Sequence, residues 1–286
     1  DQIQVCTDEA ELDVSKDEII KLWREEQEES PIGSISFGRP TPPLSDLDFT
    51  LLSAANSKRF EGVSVYADID SFTAYVDQHL DSNPEDLVRT LHVVRSELDA
   101  VIHRDFGGRR VRFVGDCVHG LLLEGTAHTT DEEDTVSTTA LCSGALRSSF
   151  ACALSHLESE DVDTDDLGLA IGFELGPLSV TRLGMKGDKL RCATGRAVLR
   201  SEAEQRRCSG IETAIGADAY AKASDPVRRV FSDSRKVSNF DYDSAVQELA
   251  VSGDRVAKAI QEETYRAVTP AIVPSLSEPL RPHTAS

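Results

Sequence analysis

Short runs of β-branched, aromatic and aliphatic residues, bounded by glycine or other turn formers, predict the strands of this protein. The first run covers residues 63–69 and lies between Gly62 and Ser71, which favours a single strand there. The next two runs are linked only by Gly115-Asp116, and so short a link predicts a tight antiparallel hairpin. The predicted strands after the first are 110–114 and 117–123 in this hairpin, and the pair 167–173 and 178–182 around Gly176-Pro177.

Apolar residues that recur every three or four positions predict the helices. The clearest pattern follows Asn83, a residue type that caps helices, with Pro84 in the first helical position and acidic residues in the first turn. Leucine and valine then recur until Gly107-Gly108 ends the run. Similar patterns predict helices over 136–157 and 193–208 and a short accessory helix over 17–29.

The order strand, helix, hairpin, helix, hairpin, helix indicates an α+β domain, in which helices pack on a mostly antiparallel central sheet. We predict that this domain covers residues 60–240. Residues 1–45 contain the accessory helix and a stretch rich in proline and glycine, which forms a linker or a strap over the core. Residues 241–267 are expected to form a C-terminal helix, and the proline-rich residues 268–286 a mobile tail.

Composition and charge exclude several classes of function. The chain of 286 residues is 40% hydrophobic, and no stretch approaches the run of about 18 apolar residues that a membrane span needs. Its 30 basic and 50 acidic residues give a net charge of −20, which repels nucleic-acid phosphates. The six cysteines are widely spaced without a Cys-x-x-Cys pair, and no secretory signal is visible. We therefore expect a cytoplasmic protein with no membrane span and no nucleic-acid partner.

Two carboxylates lie where the predicted strands would bring them together. Asp68 ends the first strand and Asp116 sits in the hairpin turn, so pairing of the strands places both at one end of the sheet. Mg²⁺ in proteins is commonly held by one or two carboxylates together with water and substrate phosphates. The pair therefore predicts a metal site, while the alternative is that Asp68 caps the next helix and Asp116 only forms the turn.

Four short motifs resemble those of the class III nucleotidyl cyclases, in the same order along the chain. Tyr66-Ala67-Asp68-Ile69-Asp70-Ser71-Phe72-Thr73 resembles the aromatic-x-Asp-Ile-x-Gly-Phe-Thr signature of that family. Arg112-Phe113-Val114-Gly115-Asp116 resembles the family's Lys-Thr-Ile-Gly-Asp hairpin. Residues 172–178 are similar to a later Gly-x-x-x-Gly-Pro-Val element, and residues 194–198 to a Trp-Gly-Asp-x-Val helix start. The resemblance thus extends over most of the predicted domain.

The resemblance implies a class III cyclase fold, with two protomers head to tail as a homodimer and nucleotide sites in the cleft between them. Asp68 and Asp116 would hold two Mg²⁺ or Mn²⁺ ions per site, with the carbonyl of Ile69 as a further ligand. Asp70 falls at a variable position of the family pattern and is not included. The implied reaction is attack of the ribose 3′-hydroxyl of a nucleoside triphosphate on its α-phosphate, with pyrophosphate leaving. A separate effector would then bind the cyclic nucleotide.

The base pocket departs from the family pattern. Arg112 stands where adenylyl cyclases have a base-reading Lys and guanylyl cyclases a Glu, and Cys192 falls near the second base-reading position. A guanidinium offers only donors, so Arg112 suits the acceptor-rich edge of uracil or cytosine, although arginine also pairs well with guanine. Tyr66 shares a strand face with Asp68 and would shorten the pocket, which favours a pyrimidine. This combination resembles the pyrimidine cyclases of bacterial anti-phage signalling (Pycsar), with UTP preferred over CTP.

The helix after the fourth motif lacks the family's phosphate donors. Leu199 and Ala203 occupy the positions of the transition-state Asn and Arg, and neither side chain can donate to a phosphate. Arg196 and Arg200 lie one helical turn apart and would supply these donors, or else they form a solvated helix face. The alternatives are therefore an adenylyl or guanylyl cyclase with an unusual base pocket, and a catalytically dead domain that binds a nucleotide.

Two further groups of residues could carry chemistry. Arg182, Lys186, Lys189 and Arg191 form a basic stretch, which fits either triphosphate binding or a charged hairpin edge. The pair Cys117-x-His119 could be half of a metal site, but no second half is apparent, so zinc is not predicted.

Overall fold

The computed structural model of the chain describes residues 15–249, except residues 30, 32, 165 and 185–188. The strands are β1 Ser36–Gly38, β2 Asn56–Asp70, β3 Arg109–Val114, β4 Cys117–Leu122, β5 Gly168–Leu183, β6 Leu190–Gly195, β7 Glu212–Ile215 and β8 Lys236–Ser238. The helices are α1 Lys16–Glu29, α2 Phe72–His79, α3 Pro84–Ala100, α4 Glu132–Ser159, α5 Arg196–Arg206, α6 Ala217–Lys222, α7 Asp225–Phe231 and α8 Tyr242–Leu249.

The strands form one twisted sheet in the order β3-β4-β2-β5-β7-β8, with β1 beside β2 and β6 beside β5. Every pairing is antiparallel except β1 with β2 and β5 with β7. The prediction of an α+β domain with a mostly antiparallel sheet is therefore confirmed.

The alternation of side chains along β2 divides the interior into two cores. Val63, Val65 and Ile69 point into the larger core, which α3 and α4 cover on one face of the sheet. Phe60 and Tyr66 point to the other face, into a smaller core that α5 covers. Because Asp68 lies two residues after Tyr66, it shares this second face, and the candidate site is built there.

The predicted hairpin is present as β3 and β4, and the predicted long helices are present as α3 and α4. Pro84 fills the first position of α3 as expected, but the side chain of Asn83 makes no capping hydrogen bond. The accessory helix is present as α1, which buries none of its side chains. No helix in the described part of the chain is long and apolar enough to cross a membrane.

Residues 167–173 and 178–182 are not two strands, because β5 runs through Gly176-Pro177 without a break. On one side β5 pairs with β2 over its length, while on the other side β7 pairs with it only up to Phe173 and β6 only from Leu178. Pro177 lies in the gap between these two neighbours, where a missing N–H leaves no ladder bond unmade. The predicted helix over 193–208 also begins later, since residues up to Gly195 belong to β6.

Residues 44–52, which precede β2, pack on the sheet as a strap. Leu44 and Phe49 are buried in the smaller core. The guanidinium groups of Arg109 and Arg191 lie 5.6 and 5.2 Å from the centre of the Phe49 ring. Arg182 also donates a hydrogen bond to the carbonyl of Thr50, at 3.2 Å. Part of the basic stretch therefore holds this strap, while Lys186 lies outside the described residues.

The chain end is described only as far as α8. The predicted helix over 241–267 corresponds there to Tyr242–Leu249, and its remainder lies outside the described residues, as does the predicted tail.

Candidate active site

Asp68 lies near the end of β2, on the face of the sheet that α5 covers. The side-chain amide of Gln205 in α5 donates a hydrogen bond to Asp68 Oδ2 at 3.2 Å. Burial raises the pKa of Asp68 to about 6, and the charge of Asp116 adds to the rise. The thiol of Cys117 lies beside the same carboxylate, and burial raises its pKa as well.

Asp116 occupies the turn between β3 and β4. Gly115 before it has φ +59°, a conformation that glycine adopts without strain. Burial raises the pKa of Asp116 too, so two desolvated carboxylates converge at this end of the sheet. The described residues include no group of three or more His, Cys, Asp or Glu side chains that could hold a metal ion. Any cation bound here would therefore rely on two carboxylates, main-chain oxygen, water and substrate.

The two residues after Asp68 face elsewhere or have other partners. The Ile69 side chain is buried in the larger core, so only its main-chain carbonyl could contact a ligand. Asp70 accepts hydrogen bonds from the backbone N–H groups of Ser71 at 3.0 Å and Gly210 at 2.6 Å. Its carboxylate closes the end of the strand, which agrees with leaving it out of the predicted metal site.

Three side chains form a row across β2, β4 and β3 next to the carboxylates. Tyr66 pairs with His119 in the ladder, and His119 pairs with Arg112. A register shift between Arg110 and Arg112 marks a β-bulge at Val111. In a ladder without the bulge, Val111 would pair with His119, and the side chain of Arg112 would point to the opposite face of the sheet. The bulge therefore brings Arg112 and Tyr66, the two predicted base-binding residues, onto one face.

Tyr66 is held in a buried environment. Its ring stacks on that of His119, with centroids 4.3 Å apart and planes 10° from parallel. Burial, with the nearby charge of Glu202, raises the pKa of Tyr66 to about 12, although the Arg112 guanidinium beside the hydroxyl opposes this rise. The phenol therefore stays protonated at neutral pH and can both donate and accept a hydrogen bond.

Arg95 of α3 acts on the hairpin from the other face of the sheet. Its guanidinium carbon lies 4.1 Å from the centre of the Phe113 ring, and that of Arg110 lies 4.5 Å from the same ring. Arg110 also forms an ion pair with Asp99 of α3 at 3.2 Å. The charge of Arg95 favours ionisation of Asp116. Both guanidinium groups therefore contact the Phe113 ring, and these contacts stabilise the hairpin that carries Asp116.

The outer face of α5 carries the residues at the family's transition-state positions. Leu199 is 70% exposed, and Arg196, Arg200 and Ala203 are exposed on the same side of the helix. Arg200 forms an ion pair with Asp218 of α6. Within the described chain, Arg200 therefore has a protein partner, and it would have to exchange this partner for a phosphate in order to act on substrate.

Cys192, the other predicted base-binding residue, lies in β6. It is half-buried, and its Cα pairs with that of Thr181 in β5. Its contact with a base stays a prediction.

The motifs of the sequence include none of four further polar residues around this site, which are Gln205, Ser201, Ser64 and Arg95. The spacing of residues along β2 and α5 does carry a signal for three of them. Ser64 lies two residues before Tyr66 on β2, so both side chains share the face that α5 covers. Ser201 and Gln205 lie one turn apart on the buried side of α5. Arg95 has no such signal, because its role depends on how α3 crosses the sheet.

No protein-family model matches the chain. The chain is 54% identical over 282 residues to a uridylate cyclase of Pseudomonas aeruginosa, and the match covers 99% of this chain and 55% of that protein. It is 44% identical over 200 residues to a uridylate cyclase of a Rhizobium species, and this match covers 69% of this chain and 38% of the relative. The chain therefore spans about half or less of the length of the curated relatives it matches.

Solved structures of class III cyclases and a cyclase-like protein share the fold of this chain. A crystal structure of a class III adenylyl cyclase-like ATP-binding protein from P. aeruginosa is 57% identical with a TM-score of 0.82, and covers 85% of this chain and 52% of that chain. The adenylyl cyclase CyaB from P. aeruginosa shares the fold at 20% identity with a TM-score of 0.51, covering 58% of this chain and 81% of that chain.

Proposed function

Because this chain belongs to the class III nucleotidyl cyclase family, we propose that it converts a pyrimidine nucleoside triphosphate, UTP in preference to CTP, into a 3′,5′-cyclic nucleotide. In this reaction the ribose 3′-oxygen bonds to the α-phosphorus as its proton leaves. The bond from that phosphorus to the pyrophosphate oxygen breaks, and pyrophosphate departs. The fold is that of the family, as the sequence predicts.

The observation that carries the proposal is the row of Tyr66, His119 and Arg112 beside the pair Asp68 and Asp116. Arg112 presents donors that match the carbonyl acceptors of uracil. Tyr66 would shorten the base pocket on the side where the second ring of a purine would need space. A site that rejects a substrate by shape and unpaired polar groups discriminates better than one that uses shape alone.

The site fits divalent cations, because two carboxylates with raised pKa values gain most from a nearby positive charge. Asp68 and Asp116 would hold two Mg²⁺ or Mn²⁺ ions, with the carbonyl of Ile69 as a further ligand. When bound, these ions would lower the pKa of the attacking hydroxyl and neutralise charge on the triphosphate. Gln205 orients the Asp68 carboxylate through the hydrogen bond to Oδ2.

Phosphate contacts would come from the arginines of α5. Arg196 is exposed on the outer face of this helix and has donors in the fork geometry that suits phosphate. Arg200 would join it after leaving Asp218. We propose that this face meets a second copy of the chain in a head-to-tail homodimer, since the exposed Leu199 lies in its centre. Light scattering at increasing protein concentration tests this association, and the mass of one chain throughout would contradict it.

The function is tested by incubating the purified chain with Mn²⁺ and each of ATP, GTP, UTP and CTP, with products identified by mass spectrometry. We expect cyclic UMP as the main product. Asp116→Ala should abolish it, while Asp77→Asn, which changes an exposed carboxylate on α2, should leave it unchanged. Full activity of the Asp116 variant would contradict the metal assignment.

A second candidate is an adenylyl cyclase, which the ATP-binding protein of P. aeruginosa favours through its 57% identity. Competition separates the two, because an adenylyl cyclase would form cyclic AMP in the presence of excess UTP. Nucleotide binding without pyrophosphate release from any substrate would instead favour the catalytically dead domain. A role in anti-phage signalling through a separate effector rests on the resemblance to the Pycsar cyclases.

A further inference from the structure

Two histidines that are buried in the described part of the chain lie against tyrosine rings, and they differ in location and ring geometry. His119 lies against Tyr66 in the candidate active site, with ring centroids 4.3 Å apart. His79 lies against Tyr75 at 4.2 Å, and its Nδ1 is 2.8 Å from the carbonyl of Tyr75. The second pair joins α2 internally, so its purpose is structural. The first pair has more to explain.

His119 is 1% exposed and sits in the middle of the smaller core. Its Nε2 is 3.0 Å from the hydroxyl of Ser64, and the hydroxyl of Ser201 is 2.8 Å from that of Ser64. This chain of contacts links α5 to the ring that supports Tyr66. The other ring nitrogen, Nδ1, is buried without a hydrogen-bond partner. An apolar residue would avoid that unpaired atom, so the presence of a histidine at this position needs a reason.

The ring of His119 is suited to act as a flat support. Burial lowers the pKa of His119 to about 3, with help from the charge of Arg112, so the ring is neutral at neutral pH. A neutral ring can lie parallel to the Tyr66 ring at stacking distance. The contact with Ser64 restrains rotation of the His119 ring, and an aliphatic side chain could not make this hydrogen bond.

We propose that His119 is a positioning residue that sets the depth of the base pocket, by holding the Tyr66 ring at a fixed height and connecting it to α5. The proposal rests on the proposed function, because it assigns Tyr66 to the wall that excludes the second ring of a purine. Removing the imidazole leaves a cavity behind Tyr66 into which the phenol can retreat. The pocket then deepens on the side where a purine needs space.

The test compares His119→Ala, His119→Phe and His79→Ala as purified full chains, with kcat and KM measured for UTP and ATP. We expect His119→Ala to lower the ratio of kcat/KM for UTP over ATP about tenfold, the range that small changes of pocket shape produce. His119→Phe keeps a flat ring but loses the contact with Ser64, so its ratio should lie between those of the wild type and of His119→Ala. His79→Ala removes a ring that is nearly as buried, 8% exposed, and that lies against Tyr75 at a tilt of 32°, and it should leave the ratio unchanged.

A fall in activity that is equal for both nucleotides would overturn the proposal, because a residue with only a structural role weakens every substrate alike. An equal change of the ratio in His79→Ala would overturn it as well. Thermal melting checks that each variant is folded. If His119→Ala does not fold, Ser64→Ala takes its place. This variant keeps the His119 ring but removes its hydrogen-bond partner, and an unaltered ratio would also contradict the proposal.

Failure of the proposed function is recognised separately, from the wild-type chain. If the wild type prefers a purine, the pyrimidine assignment is wrong. The ratio is then taken between the preferred nucleotide and the next one, and its response to His119→Ala still decides whether His119 positions the pocket.

Discussion

At the residue scale, the neighbours of a carboxylate in this chain decide whether its pKa is lowered or raised. Lys236 and the backbone N–H of Ser209 donate to Glu212 and lower its pKa to about 2. Asp68 has one amide donor and a neighbouring carboxylate, so burial dominates and its pKa rises to about 6. The charged form of Glu212 is stabilised by donors within the protein. Burial disfavours the charged form of Asp68, and a bound cation would stabilise it.

This environment predicts how metal affinity depends on pH. Because Asp68 must lose its proton to bind a cation, the affinity for Mn²⁺ should be constant above about pH 6 and fall about tenfold per pH unit below it. Titration calorimetry at pH 7.5, 6.0 and 5.0 measures this. Equal affinity at the three values would contradict the assignment of Asp68 as a ligand.

The raised pKa of Asp68 also makes the stability of the metal-free chain depend on pH. Because the folded-state pKa of Asp68 lies above its ordinary value of 3.8, its contribution to the free energy of unfolding is complete below that value. The contribution is lost as the pH rises through about 6.

Gln205 is the protein partner whose loss should disturb Asp68 most directly. Gln205→Leu keeps the size of the side chain but removes the donor to Asp68 Oδ2. We expect a loss of about 10- to 100-fold in activity or in apparent Mn²⁺ affinity, as for other residues that orient metal ligands. Arg206→Ala, which removes an exposed ion pair with Glu202 on the next position of α5, is the control and should have little effect.

At the element scale, the site depends on how closely α5 approaches the sheet. Gly172 of β5 makes this approach possible, since a Cβ there would overlap the backbone nitrogen and Cα of Gln205. The helix lies directly over β2 and β5, and both Ser201 and Gln205 reach β2 from it. A glycine in the middle of a strand therefore marks a close contact between backbones.

Gly172→Ala should push α5 away from the sheet and separate Gln205 from Asp68. Overpacking of this kind costs about 1–3 kcal/mol in the free energy of unfolding. Denaturant unfolding measures the cost, and the cyclase assay should show a parallel loss of activity. Gly33→Ala is the matched control, because a Cβ there meets no atom within 4 Å. Wild-type stability of the Gly172 variant would contradict this description of the contact.

At the scale of the whole molecule, the sheet separates a large core from a smaller one that the strap completes. Phe49 of the strap is 1% exposed, while Leu51, two residues later, is 71% exposed. Phe49→Ala should lower the free energy of unfolding by about 3–5 kcal/mol, since it empties a site in the smaller core. Leu51→Ala should leave it nearly unchanged. Denaturant unfolding of the two variants measures both values, and equal stabilities would show that the strap is not part of the core.

The sequence by itself determined the local elements and the faces of the central strand. The long helices α3 and α4, the β3–β4 hairpin and the position of Asp68 and Tyr66 on one side of β2 all follow from patterns within a few residues. Such patterns are visible because backbone periodicity and turn chemistry act over short distances along the chain.

Only the tertiary structure decided what surrounds the two carboxylates. Gln205 and Ser201 contact partners that lie 137 residues away in sequence, and the bulge at Val111 depends on how β3 pairs with β4. The continuity of β5 through Pro177 likewise depends on the gap between β6 and β7. These features arise when distant segments pack against each other, and the local sequence indicates at most which face of an element a residue occupies, not which partner it contacts there.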